Sequence, residues 1–140
     1  MRFRSMRRRA VLLPVLLPLL GGCDILTDGP PGTVHVIVDA SPQEPLLLVV
    51  SSNFALTANE EGQVQSSIVR GDTTLVSGPF DHVYNLDASA GQILVRLTNG
   101  SANSETVRLR ILLDEKPEYD QSQQLATGDY LEYHYTNLSY

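Results

Sequence analysis

The 140-residue sequence predicts an all-β domain, an antiparallel β-sandwich of about seven or eight strands. Apolar and polar residues alternate over several short segments, as in strands with one buried face. Turn-forming Gly, Asn and Asp residues separate these segments, and no segment keeps the period of about 3.6 residues that marks an amphipathic helix. Short strands without helices are typical of an immunoglobulin-like sandwich, and a small β-barrel is the alternative.

The predicted strands are spaced along most of the chain. They cover residues 34–38, 45–56, 64–69, 73–76, 80–86, 93–98, 107–113 and 130–135. Residues 45–50 are continuously apolar, which predicts a strand in the core, and Ser52-Asn53 predicts a kink after it. Arg70-Gly71-Asp72 spells a cell-adhesion tripeptide, but Gly beside Asp is also what a tight hairpin turn requires, and we interpret it as a turn.

Charge and cysteine content limit the function classes. Five of the ten basic residues lie within the first nine positions, and all sixteen acidic residues follow Cys23, so a chain beginning at Cys23 has a formal charge of −11. That charge argues against nucleic-acid binding, which depends on cations that displace counterions from phosphate. The single cysteine excludes an intramolecular disulfide, so the fold must depend on its core.

The N-terminal segment has the three parts of an export signal. Residues 1–9 are cationic, residues 10–20 are apolar, and two glycines then precede Cys23. A membrane-spanning helix needs about 20 apolar residues, so an apolar run of about 11 is too short. The pattern predicts a cleaved signal peptide over residues 1–22.

Leu20-Gly21-Gly22-Cys23 resembles the lipobox of bacterial lipoproteins, which has an aliphatic residue, two small residues and a cysteine. The resemblance implies cleavage between Gly22 and Cys23, diacylglycerol on the Cys23 sulfur and an acyl group such as palmitate on the new N-terminus. It implies anchoring to a membrane of the bacterial envelope, facing the periplasm or the exterior. Asp24 resembles the signal that retains enterobacterial lipoproteins in the inner membrane, and an outer-membrane location is the alternative. Both the general and the twin-arginine export routes are compatible with the sequence.

Residues 23–32 form the predicted tether, and residues 33–140 form the predicted sandwich domain. Gly29-Pro30-Pro31-Gly32 cannot form a helix or a central strand. Residues 107–118 resemble the late strands of immunoglobulin-like envelope domains, such as the small mycobacterial membrane proteins that assist lipid exporters. The resemblance implies a fold more than a function, because Asp114-Glu115 stands where that family has Asp-Gly and its paired cysteines are absent.

Acidic side chains cluster late in the chain. Asp114, Glu115, Glu118 and Asp120 lie within seven residues of one another. Calcium is commonly bound by several carboxylate oxygens from loops, but no Asp-x-Asp-x-Asp-Gly loop is present. We therefore interpret the cluster as solvated charge and keep Ca2+ binding as the alternative.

No motif predicts catalysis. His35, His82 and His134 lie about 50 residues apart, whereas zinc ligands commonly occur as closely spaced pairs. No serine lies in a Gly-x-Ser-x-Gly or Ser-x-x-Lys motif. We predict no catalytic residue, no metal and no cofactor beyond the covalent lipid, and a hydrolase of unfamiliar fold is the least favoured interpretation.

The last predicted strand is rich in tyrosine, which suits a half-buried strand and is also enriched at protein interfaces. An edge strand could also accept a strand from a partner. We predict that its outward, partner-binding side chains are Tyr130, Glu132 and His134. The leading hypothesis is a membrane-anchored, non-enzymatic accessory that binds another envelope protein, and the alternative is a small-ligand or Ca2+-binding module.

Overall fold

The computed structural model describes residues 29–86 and 91–137, and these residues form eight β-strands. The strands are β1 (Thr33–Ala40), β2 (Leu46–Ala58), β3 (Val64–Val76), β4 (Phe80–Asn85), β5 (Gln92–Thr98), β6 (Glu105–Leu113), β7 (Lys116–Leu125) and β8 (Tyr130–Thr136). The predicted signal peptide, Cys23, Asp24 and most of the predicted tether lie outside the described residues.

The strands form two antiparallel four-stranded sheets that pack face to face. Sheet A has the order β4-β1-β6-β7 and sheet B has the order β3-β2-β5-β8. The sheets are not closed into a barrel, so the predicted sandwich is confirmed rather than its barrel alternative. The edge strands of the described chain are therefore β4 and β7 in sheet A and β3 and β8 in sheet B.

The core lies between the sheets and is built mainly by the central strands. Its fully buried side chains alternate along each strand as the period-two pattern predicts. They include Val34, Val36 and Val38 on β1, Leu46 and Leu48 on β2, Ile93, Val95 and Leu97 on β5, and Leu109 and Ile111 on β6. Each such side chain contributes about 1.5–3 kcal/mol on burial, so the apolar core provides the stability that disulfides provide in many small secreted domains.

The predicted turn at Arg70-Gly71-Asp72 is wrong, because β3 runs through these residues without interruption. The β2–β3 turn lies instead between Asn59 and Gln63, where the Gly62 amide donates to the Asn59 carbonyl and Gly62 has a φ of 77°. Gly71 allows β3 to pack closely against β2, because a Cβ at this position would lie only 2.9 Å from a Val49 methyl carbon. Glycine within a strand marks such close contact or a bulge as readily as a turn.

Strand β7 is absent from the sequence prediction. Its ten residues are polar except for Pro117, Tyr119 and Leu125, and among them only Leu125 is fully buried. As an edge strand with most of its side chains in solvent, β7 has no apolar alternation to identify it. The predicted number of strands is correct only because this omission balances the division of β3 into two.

The hairpin of β2 and β3 bends sharply part-way along its length. Its register is irregular between Val50 and Phe54, as the predicted kink at Ser52-Asn53 requires, and the pairing of β2 with β5 ends at Ser51. The Ser51 hydroxyl lies within hydrogen-bond distance of the Asn53 and Arg70 carbonyls, and its single donated hydrogen bond to one of them secures the bend. Beyond it, residues 54–68 continue as a two-stranded segment, which we call the arm.

Candidate functional site

The predicted partner-binding residues lie on one surface. Strand β8 is an edge of sheet B, and its Leu131, Tyr133 and Tyr135 pack against the core. Adjacent residues of a strand point to opposite faces, so Tyr130, Glu132 and His134 lie on the outer face of the sheet. These three residues nevertheless have different surroundings, and only two of them are open to a partner.

Glu132 is held within the protein. Its carboxylate accepts a hydrogen bond from Arg96 Nε at 2.6 Å and from the Ser66 hydroxyl at 2.7 and 2.8 Å. Arg96 also donates to Ser66, and its guanidinium carbon lies 4.8 Å from the centre of the Tyr130 ring. With 15% of its side chain exposed, Glu132 stabilises the arm and is poorly placed to bind a partner.

The arm lies across the outer face of sheet B. Ser66 belongs to the arm, whereas its partners Arg96 and Glu132 belong to β5 and β8. The amide side chain of Gln92 on β5 donates to the carbonyls of Ser52 and Phe54, where the arm begins. The arm therefore leaves the edge of the sheet and crosses β5 to reach β8.

Two apolar side chains outside the main core are buried where the arm crosses sheet B. Leu94 is between the core residues Ile93 and Val95, so it points away from the core, yet it is fully buried. Phe54 is also buried outside the main core, and it shares a face of the arm with Ser66 through the alternation of the paired strands. The sequence prediction missed this cover, because the apolar alternation of β5 does not show which element covers its second face.

Outside the arm, sheet B exposes a row of side chains that crosses all four strands. Cross-strand pairing places Leu75 beside Leu47, Leu47 beside Thr98, and Thr98 beside Tyr130. The exposed fractions are 66% for Leu75, 37% for Leu47 and 53% for Tyr130. We call these four residues the apolar row. Large apolar side chains that are contiguous and exposed mark interaction sites more often than scattered ones do.

The apolar row lies at the end of the sandwich away from the tether. The Gly32 and Thr33 amides donate to the Asp114 carboxylate in the β6–β7 turn, so residues 29–32 lie at the end of the sandwich that contains this turn, the tether end. Pro30 and Tyr135 line one cleft there, so the C-terminal end of β8 is beside the tether. Tyr130 lies five residues back along β8, or about 17 Å towards the opposite end.

The outer face of sheet A is charged rather than apolar. His35 Nε2 lies 2.7 Å from Asp81, Arg110 lies 2.9 Å from Asp39, and Arg108 makes two hydrogen bonds of 2.7 Å with Asp120. The hydrogen bond between Arg108 and Asp120 raises the pKa of the guanidinium and lowers the pKa of the carboxyl. These pairs are exposed, and such pairs add little stability, so we regard them as a solvated face.

The predicted acidic cluster is not gathered into one site. Asp114 binds the tether amides, Asp120 binds Arg108, and Glu118 lies in β7 rather than in a loop. No group of three or more His, Cys, Asp or Glu side chains among the described residues could hold a metal ion. Asp114 instead links the tether to the β6–β7 turn.

The three histidines lie on different surfaces. His35 faces outward on β1 of sheet A, and His134 faces outward on β8 of sheet B. His82 lies on β4 between two aromatic rings, with its ring centre 4.6 Å from that of Tyr84 and 6.1 Å from that of Phe80. Within residues 29–86 and 91–137, the fold therefore does not bring two histidines together as a pair of metal ligands would require.

The lipidation residue and its cleavage site, Cys23 and Gly22, lie outside the described residues. Among residues 29–86 and 91–137, no helix is long and apolar enough to cross a membrane. A comparison of the chain with protein-family models, curated proteins and solved structures finds no match.

Proposed function

We propose that the protein is a lipoprotein, anchored to an envelope membrane through Cys23, that binds another envelope protein without catalysing a reaction. The observation that supports the binding role is the apolar row, which crosses the outer face of sheet B and includes Tyr130. The lipobox Leu20-Gly21-Gly22-Cys23 supports the anchor. The anchor brings the domain to the membrane, and the row provides the contact.

The position of the row suits a tethered domain. Residues 29–32 join the opposite end of the sandwich, so the row points away from the attachment point. A partner can then approach Leu75, Leu47 and Tyr130 without displacing the tether. The open edge of β8 borders the row and offers unpaired backbone groups to the same partner.

The charge of the domain indicates the chemistry of the partner. Among the described residues, Arg96, Arg108 and Arg110 are each bonded to a carboxylate. Asp129 directly precedes Tyr130, and Glu44 lies three residues before Leu47, so acidic residues lie close in sequence to two members of the row. The partner surface is therefore an apolar patch surrounded by Lys or Arg, which matches this arrangement in sign.

Site-specific photo-crosslinking on the lipidated protein in native membranes tests this function. A crosslinker in place of Leu75 or Tyr130 is expected to form the same discrete adduct. Val83 is the matched control, because it is 48% exposed on the outer face of sheet A. Adducts that do not depend on position, or none at Leu75, contradict the proposal.

Measurement with the purified partner then assigns the surface. Leu75→Asp is expected to raise the Kd at least about tenfold, since a charge within an apolar contact costs more than about 1.4 kcal/mol. Val83→Asp places the same charge on the opposite sheet and is expected to leave the Kd within about twofold. Equal losses in the two variants would show that the effect is one of net charge.

A further inference from the structure

A cleft opens between the two sheets at the tether end of the sandwich. It has a volume of about 250 Å³ and lies between the β2–β3 bend and the C-terminal end of β4. The lining comes from the β2–β3 bend on one side and from the C-terminal end of β4 on the other, so the cleft lies where the hairpin leaves sheet B to form the arm. The core residues Val50 and Ile93 also form part of the cleft wall.

The lining combines apolar and polar side chains. Tyr84 and Leu86 face Val50 and Ile93 across the opening and are partly buried against the core. Asn53 and Asn85 also line the opening. Polar residues form the larger part of the lining, so polar groups would orient a ligand while the few apolar side chains contact only a short aliphatic group.

Two side chains of opposite charge line the same cleft. Arg70 and Asp72 flank Gly71 on β3, and neither side chain has an ion pair or a side-chain hydrogen bond within residues 29–86 and 91–137. The other arginines of the described chain are all bonded to carboxylates. Arg70 is thus available to an anion and Asp72 to a cation at one opening.

We propose that the cleft binds a small zwitterion with an apolar side chain, of the class of the aliphatic α-amino acids. The ligand carboxylate pairs with Arg70, its ammonium group pairs with Asp72, and its side chain lies on Tyr84 and Leu86. The cleft is below the volume of about 300 Å³ at which pockets for drug-sized ligands begin, so the ligand is small. This site is independent of the partner-binding row, which lies at the other end of sheet B.

Calorimetric titration of the lipidated protein in detergent tests the proposal with three probes of similar shape. L-Leucine has both charges, 4-methylpentanoate has only the carboxylate, and 3-methylbutylamine has only the ammonium group. L-Leucine is expected to bind at least about tenfold more tightly than either of the others, since each lost charge removes a charge-assisted contact. No heat with L-leucine up to about 10 mM, or equal binding of 4-methylpentanoate, overturns the proposal.

Two substitutions identify the groups that bind. Arg70→Gln is expected to weaken L-leucine binding about tenfold and to leave the binding of 3-methylbutylamine unchanged. Asp72→Asn is also expected to weaken L-leucine binding about tenfold, but to leave the binding of 4-methylpentanoate unchanged. Arg108→Gln removes the same charge from the outer face of sheet A and is expected to change L-leucine binding less than twofold. Equal affinities in Arg70→Gln and Arg108→Gln would overturn the assignment, provided that circular dichroism shows both variants folded.

Discussion

The β6–β7 turn has an uncommon backbone for its residues. Asp114 has a φ of 46° and Glu115 a φ of 66°. Two-residue hairpin turns of this kind need positive φ at both positions and favour Asn-Gly or Asp-Gly. Asp114 is fixed by hydrogen bonds from Gly32 and Thr33, whereas Glu115 has the left-handed conformation without being a glycine.

Glu115→Gly is expected to raise the free energy of unfolding by about 0.5–1 kcal/mol. A left-handed conformation costs an L-residue about 1–2 kcal/mol, and the greater chain entropy of unfolded glycine offsets part of the gain. Urea unfolding at neutral pH measures the difference. Glu115→Ala keeps the backbone cost and is the control; if it stabilises the protein as much as Glu115→Gly does, backbone conformation is not the cause.

Two tyrosines meet where the sheets face each other. Tyr119 on β7 and Tyr133 on β8 have ring centres 5.7 Å apart. Burial raises the pKa of Tyr119, and burial, with a smaller contribution from Glu118, raises the pKa of Tyr133 to about 12. A raised pKa in the folded state means that the neutral phenol stabilises the fold below pH 10, and that this stability is lost as the pH rises from 10 through 12.

Tyr133→Phe is therefore expected to lose less stability than the unchanged protein between pH 10 and pH 12. Urea midpoints over this range, each expressed relative to the midpoint of the same protein at pH 7, separate ionisation from any change in packing. Absorbance of tyrosinate gives a second reading, since the chain has no tryptophan, and the variant is expected to lack one late-titrating group. If the urea midpoints of the two proteins fall equally between pH 10 and pH 12, the ionisation of Tyr133 does not destabilise the fold.

At the scale of elements, the arm is the least expected feature. It is joined to sheet B by the contacts among Ser66, Arg96 and Glu132, whose positions in the chain are far apart. Arg96 and Glu132 are partly buried, with 23% and 15% of their side chains exposed. A partly buried pair matters chiefly because removal of one member leaves the other uncompensated.

A double-mutant cycle measures how this pair holds the arm. Arg96→Met is expected to lower the free energy of unfolding by about 2 kcal/mol, because it leaves Glu132 without its charged partner. Combining it with Glu132→Gln is expected to cost less than the sum of the single changes. Hydrogen exchange gives the local reading: Arg96→Met should speed exchange in residues 54–68 more than in β1 and β6. Additive losses, or uniform exchange, would mean that the pair does not restrain the arm.

At the scale of the whole molecule, two properties act together. The predicted mature chain has a formal charge of −11, and a membrane of anionic lipid repels such a domain. A lipid on Cys23 would hold it at the membrane despite that repulsion, and the short connection to residues 29–32 would keep the sandwich near the surface.

Expression in a bacterium tests the anchor directly. The unchanged protein is expected to lose residues 1–22, to gain acyl mass and to enter the detergent phase on partitioning. Cys23→Ala removes the only thiol and is expected to stay in the aqueous phase without acyl mass. Intact mass measures both, and an unchanged protein that stays in the aqueous phase without added mass would show that the domain is not lipid-anchored.

The sequence alone determined the fold class and the buried faces of several strands. Alternation is a local property, so it predicts which face of β1, β6 and β8 meets the core without knowledge of their neighbours. It also predicted that Tyr130, Glu132 and His134 share one face. It failed for β7, where both faces are polar, and at Gly71, where a turn and a close strand approach require the same residue.

Tertiary structure decided everything that depends on residues distant in the chain. The apolar row exists because the register of β3, β2, β5 and β8 aligns Leu75, Leu47 and Tyr130, and alternation within each strand restricts that register only to shifts of two residues. Glu132 proved unavailable because Ser66 and Arg96 reach it from other strands. The cleft beside Arg70 likewise lies where the β2–β3 hairpin leaves sheet B. Sites of this kind are made by contacts between strands, which a pattern along one strand cannot specify.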